Sequence, residues 1–128
     1  MKKKAEYQIS ASVNEGLLEI ILKGEVAESA VNNLANEIFT IIKGNGIENV
    51  LVDVRAIKGR FRYAESFERI RSYPPDILRV NSAVVDLPEN AEFQSFQETI
   101  SINAGLSFKW FTDMDTARKW LKSKGKKK

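Results

Sequence analysis

The chain of 128 residues has no cysteine and no histidine. Without cysteine there is no disulfide framework, no thiolate nucleophile and no thiolate metal site. Without histidine the usual general base, the imidazole metal ligand and the switch that titrates near neutral pH all drop out together. Long apolar runs are missing too. Leu17-Leu18 and Ile20-Ile21-Leu22 are typical, far short of the roughly 20 residues that span a bilayer. Lys2-Lys3-Lys4 is followed by Ala5-Glu6-Tyr7-Gln8 and not by the apolar segment of an export signal, so a cytoplasmic location is expected. Gly44-Asn45-Gly46 lacks the Lys-Ser/Thr of a phosphate loop, and no Gly-x-Ser-x-Gly elbow occurs. No motif asks for a cofactor, and the expectation is a non-enzymatic protein.

What the chain does hold is a core and a skewed charge distribution. Hydrophobic residues make up 43% and charged residues 29%, enough to fill and cover one domain of this length. The net charge of +3 comes from the ends. Eight lysines, Lys2 to Lys4 and Lys122, Lys124, Lys126, Lys127 and Lys128, leave 12 cations against 17 anions elsewhere, about −5. A body of that sign argues against nucleic acid as a partner, because nucleic-acid-binding domains gather their cations on a folded face. The tails lack an amphipathic basic helix or a lipidation site, so no stable membrane insertion is expected. Residues 1–5 and 124–128 read as basic tails around one domain over residues 6–123.

Periodicity gives the elements. Tyr7, Ile9, Ala11 and Val13 alternate with Gln8, Ser10 and Ser12, the mark of a half-buried strand. Asn14-Glu15-Gly16 turns the chain into a second, more apolar strand over 17–23. Val31, Leu34, Ala35, Ile38, Ile41 and Ile42 fall at helical spacing within a helix expected over 27–43, stopped by Gly44-Asn45-Gly46. Val50-Leu51-Val52-Asp53-Val54 is a strand of the kind buried on both faces. A polar loop is expected over 55–62, and a second helix over 63–72 ends before Pro74-Pro75. A strand over 80–87 follows. Pro88 then opens a third helix carrying Ala91, Phe93, Phe96, Ile100 and Ala104. A short strand over 108–111 leads to a last helix that Thr112 can cap, with Asp113 and Asp115 in its first turn. The order ββαβαβαβα predicts an α/β fold: a mixed, mostly parallel five-stranded sheet with four helices.

Three passages carry a family resemblance: Val50-Leu51-Val52-Asp53-Val54-Arg55, Ser82-Ala83-Val84-Val85-Asp86, and the ending from Phe111-Thr112-Asp113 through Ala117 to Trp120-Leu121. With the order of elements, they resemble the STAS and anti-sigma-factor-antagonist-like superfamily, and in particular its bacterial STAS/SEC14-like branch, over roughly residues 6 to 123. Signalling members of that superfamily are phosphorylated on a serine at the start of the helix after the third strand, which controls docking to a protein partner. The matching segment here, Phe61-Arg62-Tyr63-Ala64, has no hydroxyl of that kind. Ser66, between Glu65 and Glu68, is the nearest. The resemblance therefore implies a STAS-like binding or regulatory module that docks a protein partner or a small apolar or anionic ligand. A homodimer is compatible with it.

The residues offer three candidate sites. Arg55, Lys58, Arg60, Phe61, Arg62, Tyr63 and Ser66 interleave cations with aromatics where a central strand passes into a helix, the place at which open α/β sheets bind ligands. That set is the expected ligand- or partner-binding surface. Asp53, Asp86 and Asp113 stand at the carboxyl ends of expected strands, where converging carboxylates would hold Mg²⁺ in a carboxylate-dependent enzyme. Ordinary capping, turn and hydrogen-bonding roles explain them better, and no metal site is expected. Phe61, Phe67, Phe93, Phe96, Phe108, Trp110 and Trp120 would wall a pocket in a carrier or sensor of an apolar, lipid-like ligand, or else form plain core.

Overall fold

The computed structural model describes residues 7–26, 30–58 and 79–125. Strand β1 (Tyr7–Asn14) and strand β2 (Leu17–Glu25) form a regular antiparallel hairpin, from Tyr7 opposite Gly24 to Asn14 opposite Leu17. Its loop is the pair Glu15-Gly16, with φ of 55° and 82°. Positive φ at both central residues matches the right-handed twist of the flanking strands. Helix α1 (Val31–Asn45) ends where Gly46 takes a left-handed φ of 65° and donates its N–H to the Ile42 carbonyl. Strands β3 (Asn49–Lys58), β4 (Asn81–Val85) and β5 (Ser107–Phe111) alternate with the remaining helices. A three-residue 3-10 turn, Pro88–Asn90, leads into α2 (Ala91–Asn103), and α3 (Met114–Gly125) follows β5.

The five strands lie in the order β1-β2-β3-β4-β5. β1 runs antiparallel to β2, and the other three pairings are parallel. The sheet is thus mixed. Three of the four expected helices are α-helices among the described residues, and the one expected over 63–72 lies outside them. None of the helices described is long and apolar enough to cross a membrane.

Alternation along the strands splits the core in two. Leu18, Ile20, Leu22 and Val50 face one side, where Leu34 and Ile42 of α1 and Ile100 of α2 cover them. Leu17, Leu51, Ala83 and Val85 face the other, under Ala117 and Leu121 of α3. Each fully buried Leu or Ile contributes on the order of 2 kcal/mol.

Several boundaries move. The helix expected over 27–43 is helical over Val31–Asn45, residues 27–29 lying outside the description. β4 is shorter than expected, because Asp86 turns its carboxylate back onto the chain. On α2, Phe93 and Phe96 are only half-buried, while Gln94 and Ser101 are buried. The last helix is capped by Asp113 and not by Thr112. The Thr116 N–H donates to Asp113 Oδ2 at 3.1 Å, and its hydroxyl donates to Oδ1 at 2.6 Å.

The largest correction concerns β3. Residues 55–58, expected to start a loop, are strand, with Ala56, Ile57 and Lys58 opposite Lys23, Gly24 and Glu25. The register slips between Ile21 and Lys23, so β3 spends one extra residue there. Val52 and Val54 pack on the α1 side, and the next residue on that side is Ile57, three positions on. Bulges are rare in parallel pairs, and bulges in general are over-represented next to active sites.

Candidate functional site at the carboxyl ends of the parallel strands

In a parallel sheet, ligands bind beyond the carboxyl ends of the strands, and here that edge collects the polar side chains. β4 stops at Val85, opposite Asp53, whereas β3 continues to Lys58. Asp53 is 8% exposed, at the point where the bulge begins. It accepts the Arg55 backbone N–H at 3.1 Å and two guanidinium N–H groups, Nε to Oδ1 and Nη2 to Oδ2, both at 2.9 Å. This fork-on-fork pairing is the geometry for which guanidinium and carboxylate are matched. Burial pushes the Asp53 carboxyl up and the Asp86 charge adds to that. The hydrogen bonds and charge of Arg55 outweigh both and hold it below the usual carboxylate range. Arg55 is in turn raised, chiefly by its bond to Asp53.

Asp86, one strand over, is fully buried. Its Oδ1 accepts the Leu87 N–H at 2.7 Å and the Asn90 side-chain amide at 3.0 Å, and its Oδ2 accepts the Gln94 amide at 2.8 Å. A buried carboxylate needs such donors. The result ties the end of β4 to the start of α2. Asp113, at the end of β5, caps α3 and is held low by its bonds to Thr116. The three aspartates therefore sit in a row, each occupied by its own neighbours. No three carboxylates among the described residues are grouped so as to hold a metal ion.

Of the expected binding residues, the structure places two. Arg55 and Lys58 both lie exposed on β3, Arg55 anchored to Asp53. Arg60, Phe61, Arg62, Tyr63 and Ser66 lie outside the described residues, as do Phe61 and Phe67 of the aromatic set. The other aromatics do not gather around one hollow. Phe96 and Phe108 pack on the α1 side of the sheet and Trp120 on the α3 side, its ring 5.9 Å from that of Phe111. Two grooves open on the described surface. One of about 600 Å³ runs between β1 and α1, and one of about 310 Å³ lies at the end of β5 beside Asp113 and Thr116.

Sequence reading missed two polar residues that shape this region, Gln94 and Glu19. Gln94 could have been found from Asp86, since a carboxylate at a strand end wants donors on the helix that follows, and Asn90 and Gln94 stand four and eight residues on. Glu19 is flanked by Leu18 and Ile20 in an otherwise apolar strand, and its partner Arg118 lies too far along the chain for any local pattern.

No family model matches the sequence, and no curated protein matches it. Solved structures do. The fold is similar to that of an anti-sigma factor antagonist from Mycobacterium paratuberculosis, with a TM-score of 0.64 and 11% identity over 91% of this chain and 95% of that one. It is also similar to an uncharacterized protein of the DUF3478 family with a SpoIIAA-like fold from Shewanella loihica PV-4. There the TM-score is 0.59 and the identity 14%, over 94% of this chain and 98% of that one. At such identities the likeness establishes the fold, which is the STAS-like α/β fold that the sequence resembled.

Proposed function

We propose that this chain is a non-enzymatic regulatory module that docks a protein partner through the end of β3 and the segment that follows it. The observation that carries this reading is the extension of β3 beyond β4, which presents Arg55 and Lys58 where open sheets of this class receive their ligands. Asp53 holds Arg55 at that edge, so one face of the guanidinium is fixed while its side chain remains 39% exposed. The sequence runs on from Lys58 through Arg60 and Arg62, and six of its seven arginines fall between positions 55 and 79. Such a concentration suits an acidic partner surface, since arginine pairs carboxylates in two-pronged geometry. The likeness in fold to an anti-sigma factor antagonist supports a regulatory, protein-binding role. The engagement of Asp53, Asp86 and Asp113 in structural bonds supports binding over carboxylate catalysis.

The test is affinity purification of the tagged chain from its own cells, quantified by mass spectrometry, beside the charge-reversed pair Arg60→Glu and Arg62→Glu. A partner depleted tenfold or more by the reversals, with thermal unfolding unchanged, supports the reading. A partner recovered equally by both forms moves the contact surface elsewhere.

A further inference from the structure

A sheet with two open sides must protect both or use one, because an unpaired edge strand is a template for further pairing. The two edges of this sheet differ. β5 is five residues long, carries Lys109, and has the outward Trp110 N–H taken by Glu98 Oε1 at 3.0 Å. That edge is closed by a side chain of the preceding helix. β1 is eight residues long, in unbroken register with β2, and its sequence Tyr-Gln-Ile-Ser-Ala-Ser-Val-Asn has no charge, no proline and no glycine. Among the described residues no strand lies on its outer side. Among the described residues none of the usual devices that blunt an edge is present.

The side chains of β1 also look unfinished. Tyr7, Ile9, Ala11 and Val13 share the α1 side of the sheet, being opposite Gly24, Leu22, Ile20 and Leu18. Helix α1 reaches only the first part of this row. The Tyr7 hydroxyl donates to Glu37 at 3.2 Å, yet Val13 remains 53% exposed. Between Ile9, Ala11 and the helix lies the open groove of about 600 Å³, bordered by Asn33, Asn36 and Thr40.

We propose that β1 pairs antiparallel with β1 of a second copy, forming a symmetric dimer with one continuous ten-stranded sheet. The occupant follows from the strand itself. A two-fold axis normal to the sheet sets odd-numbered residues against odd-numbered ones. Apolar side chains then meet apolar ones on the α1 side, and Gln8, Ser10 and Ser12 meet their like on the other. With no charge on either strand, this self-pairing carries no repulsion, and a charged partner strand would find no complement. The pairing brings two grooves together and covers Val13. It also terminates, because the edges left over are both β5, each closed by Glu98. The assembly stops at two chains and does not grow into a fibre.

Light scattering coupled to size exclusion on the full chain, at about 100 µM so that a Kd of about 1 µM or tighter leaves nearly all chains paired, should give twice the chain mass of 14.5 kDa. Ala11→Lys sets two ammonium groups close together across the axis and should halve the mass. Ala11 is exposed in the single chain, so the far-ultraviolet circular dichroism and the unfolding transition should be retained. Ala11→Glu alone should behave the same way, and an equimolar mixture of the two variants should recover the doubled mass. A wild-type chain that elutes at 14.5 kDa, or a dimer that persists in Ala11→Lys, overturns the proposal. Neither result bears on the Arg55 and Lys58 surface, which lies on another strand.

Discussion

Glu19 on β2 and Arg118 on α3 stand 99 residues apart in sequence and form a two-pronged ion pair. Nε lies 2.8 Å from Oε2 and Nη2 3.1 Å from Oε1. The carboxylate is buried, with its side chain 8% exposed, while the guanidinium is 34% exposed and also reaches Asp115 at 3.6 Å. The last helix is thereby fixed to a strand at the far side of the sheet from β5, the strand that leads into it.

Losing Arg118 would leave Glu19 buried without its donor, and the unsatisfied charge costs more than the pair itself contributes. Partial exposure of the guanidinium moderates the loss. Arg118→Leu is expected to lower unfolding stability by about 1–2 kcal/mol. The double variant Glu19→Leu with Arg118→Leu should recover most of that. Urea unfolding of the four members of the cycle measures the coupling, and a coupling near zero would mean that packing alone seats α3.

The Asp53 and Arg55 pair makes a prediction in pH. Because the folded carboxyl is held below its ordinary value, its stabilisation is fully present at neutral pH and is lost as pH falls through the folded value. The loss therefore begins below about pH 4, where an unfolded aspartate takes up its proton. Asp53→Asn is expected to cost about 1 kcal/mol at pH 7, discounted for the exposure of Arg55, and to flatten the decline in stability below about pH 4. Denaturant midpoints of the two proteins across that range decide it. Parallel curves would show that other carboxylates carry the acid sensitivity.

Asp86 should be the costliest of the three strand-end aspartates to remove. Asp86→Ala leaves the half-buried Leu87 N–H and Asn90 amide and the buried Gln94 amide short of an acceptor at a fully buried position. The expected loss is about 2–4 kcal/mol. Amide exchange should show protection falling first in the early turns of α2, which this carboxylate anchors to the end of β4. Asp86→Asn, which keeps one acceptor, should fall between.

Much of this arrangement was legible because strand alternation and helical spacing were undisturbed. Tyr7, Ile9, Ala11 and Val13 name a face of β1 directly, and the stop at Gly46 follows from the left-handed turn that glycine takes freely. The extension of β3 was hidden for a physical reason. Val50, Val52 and Val54 keep a period of two, and the bulge then shifts the phase so that Ile57, not Ala56, returns to the α1 side. With Arg55 and Lys58 in the same stretch, the pattern reads as a polar loop. The candidate site was half legible. The cations at the end of β3 could be named, but the anchoring of Arg55 on Asp53 lies in a stretch read as loop and not as strand. Asp53, Asp86 and Asp113 were recognisable as strand-end residues. Their separate partners, which decide between a metal site and three structural roles, appear only once α2 and α3 are placed.

The hairpin turn sets two small effects against each other, and their sizes give the final prediction. Glu15 holds a φ of 55°, a left-handed conformation that costs a side chain with a Cβ roughly 1 kcal/mol, less for Asn, whose short amide bonds the local backbone. In return its carboxylate accepts a hydrogen bond from Lys122 at 2.7 Å, but both side chains are well exposed, 70% and 48%. An exposed pair of this kind contributes little and is screened by salt. Glu15→Asn makes the turn Asn-Gly, the pair that positive φ at both positions favours most strongly. The conformational gain exceeds the ion pair lost, so the variant is expected to melt roughly 2–5 °C higher, and the difference should widen as salt is raised. A lower melting temperature at every ionic strength would show that the Lys122 contact outweighs the strain, and that Glu15 is kept in the turn to bind α3.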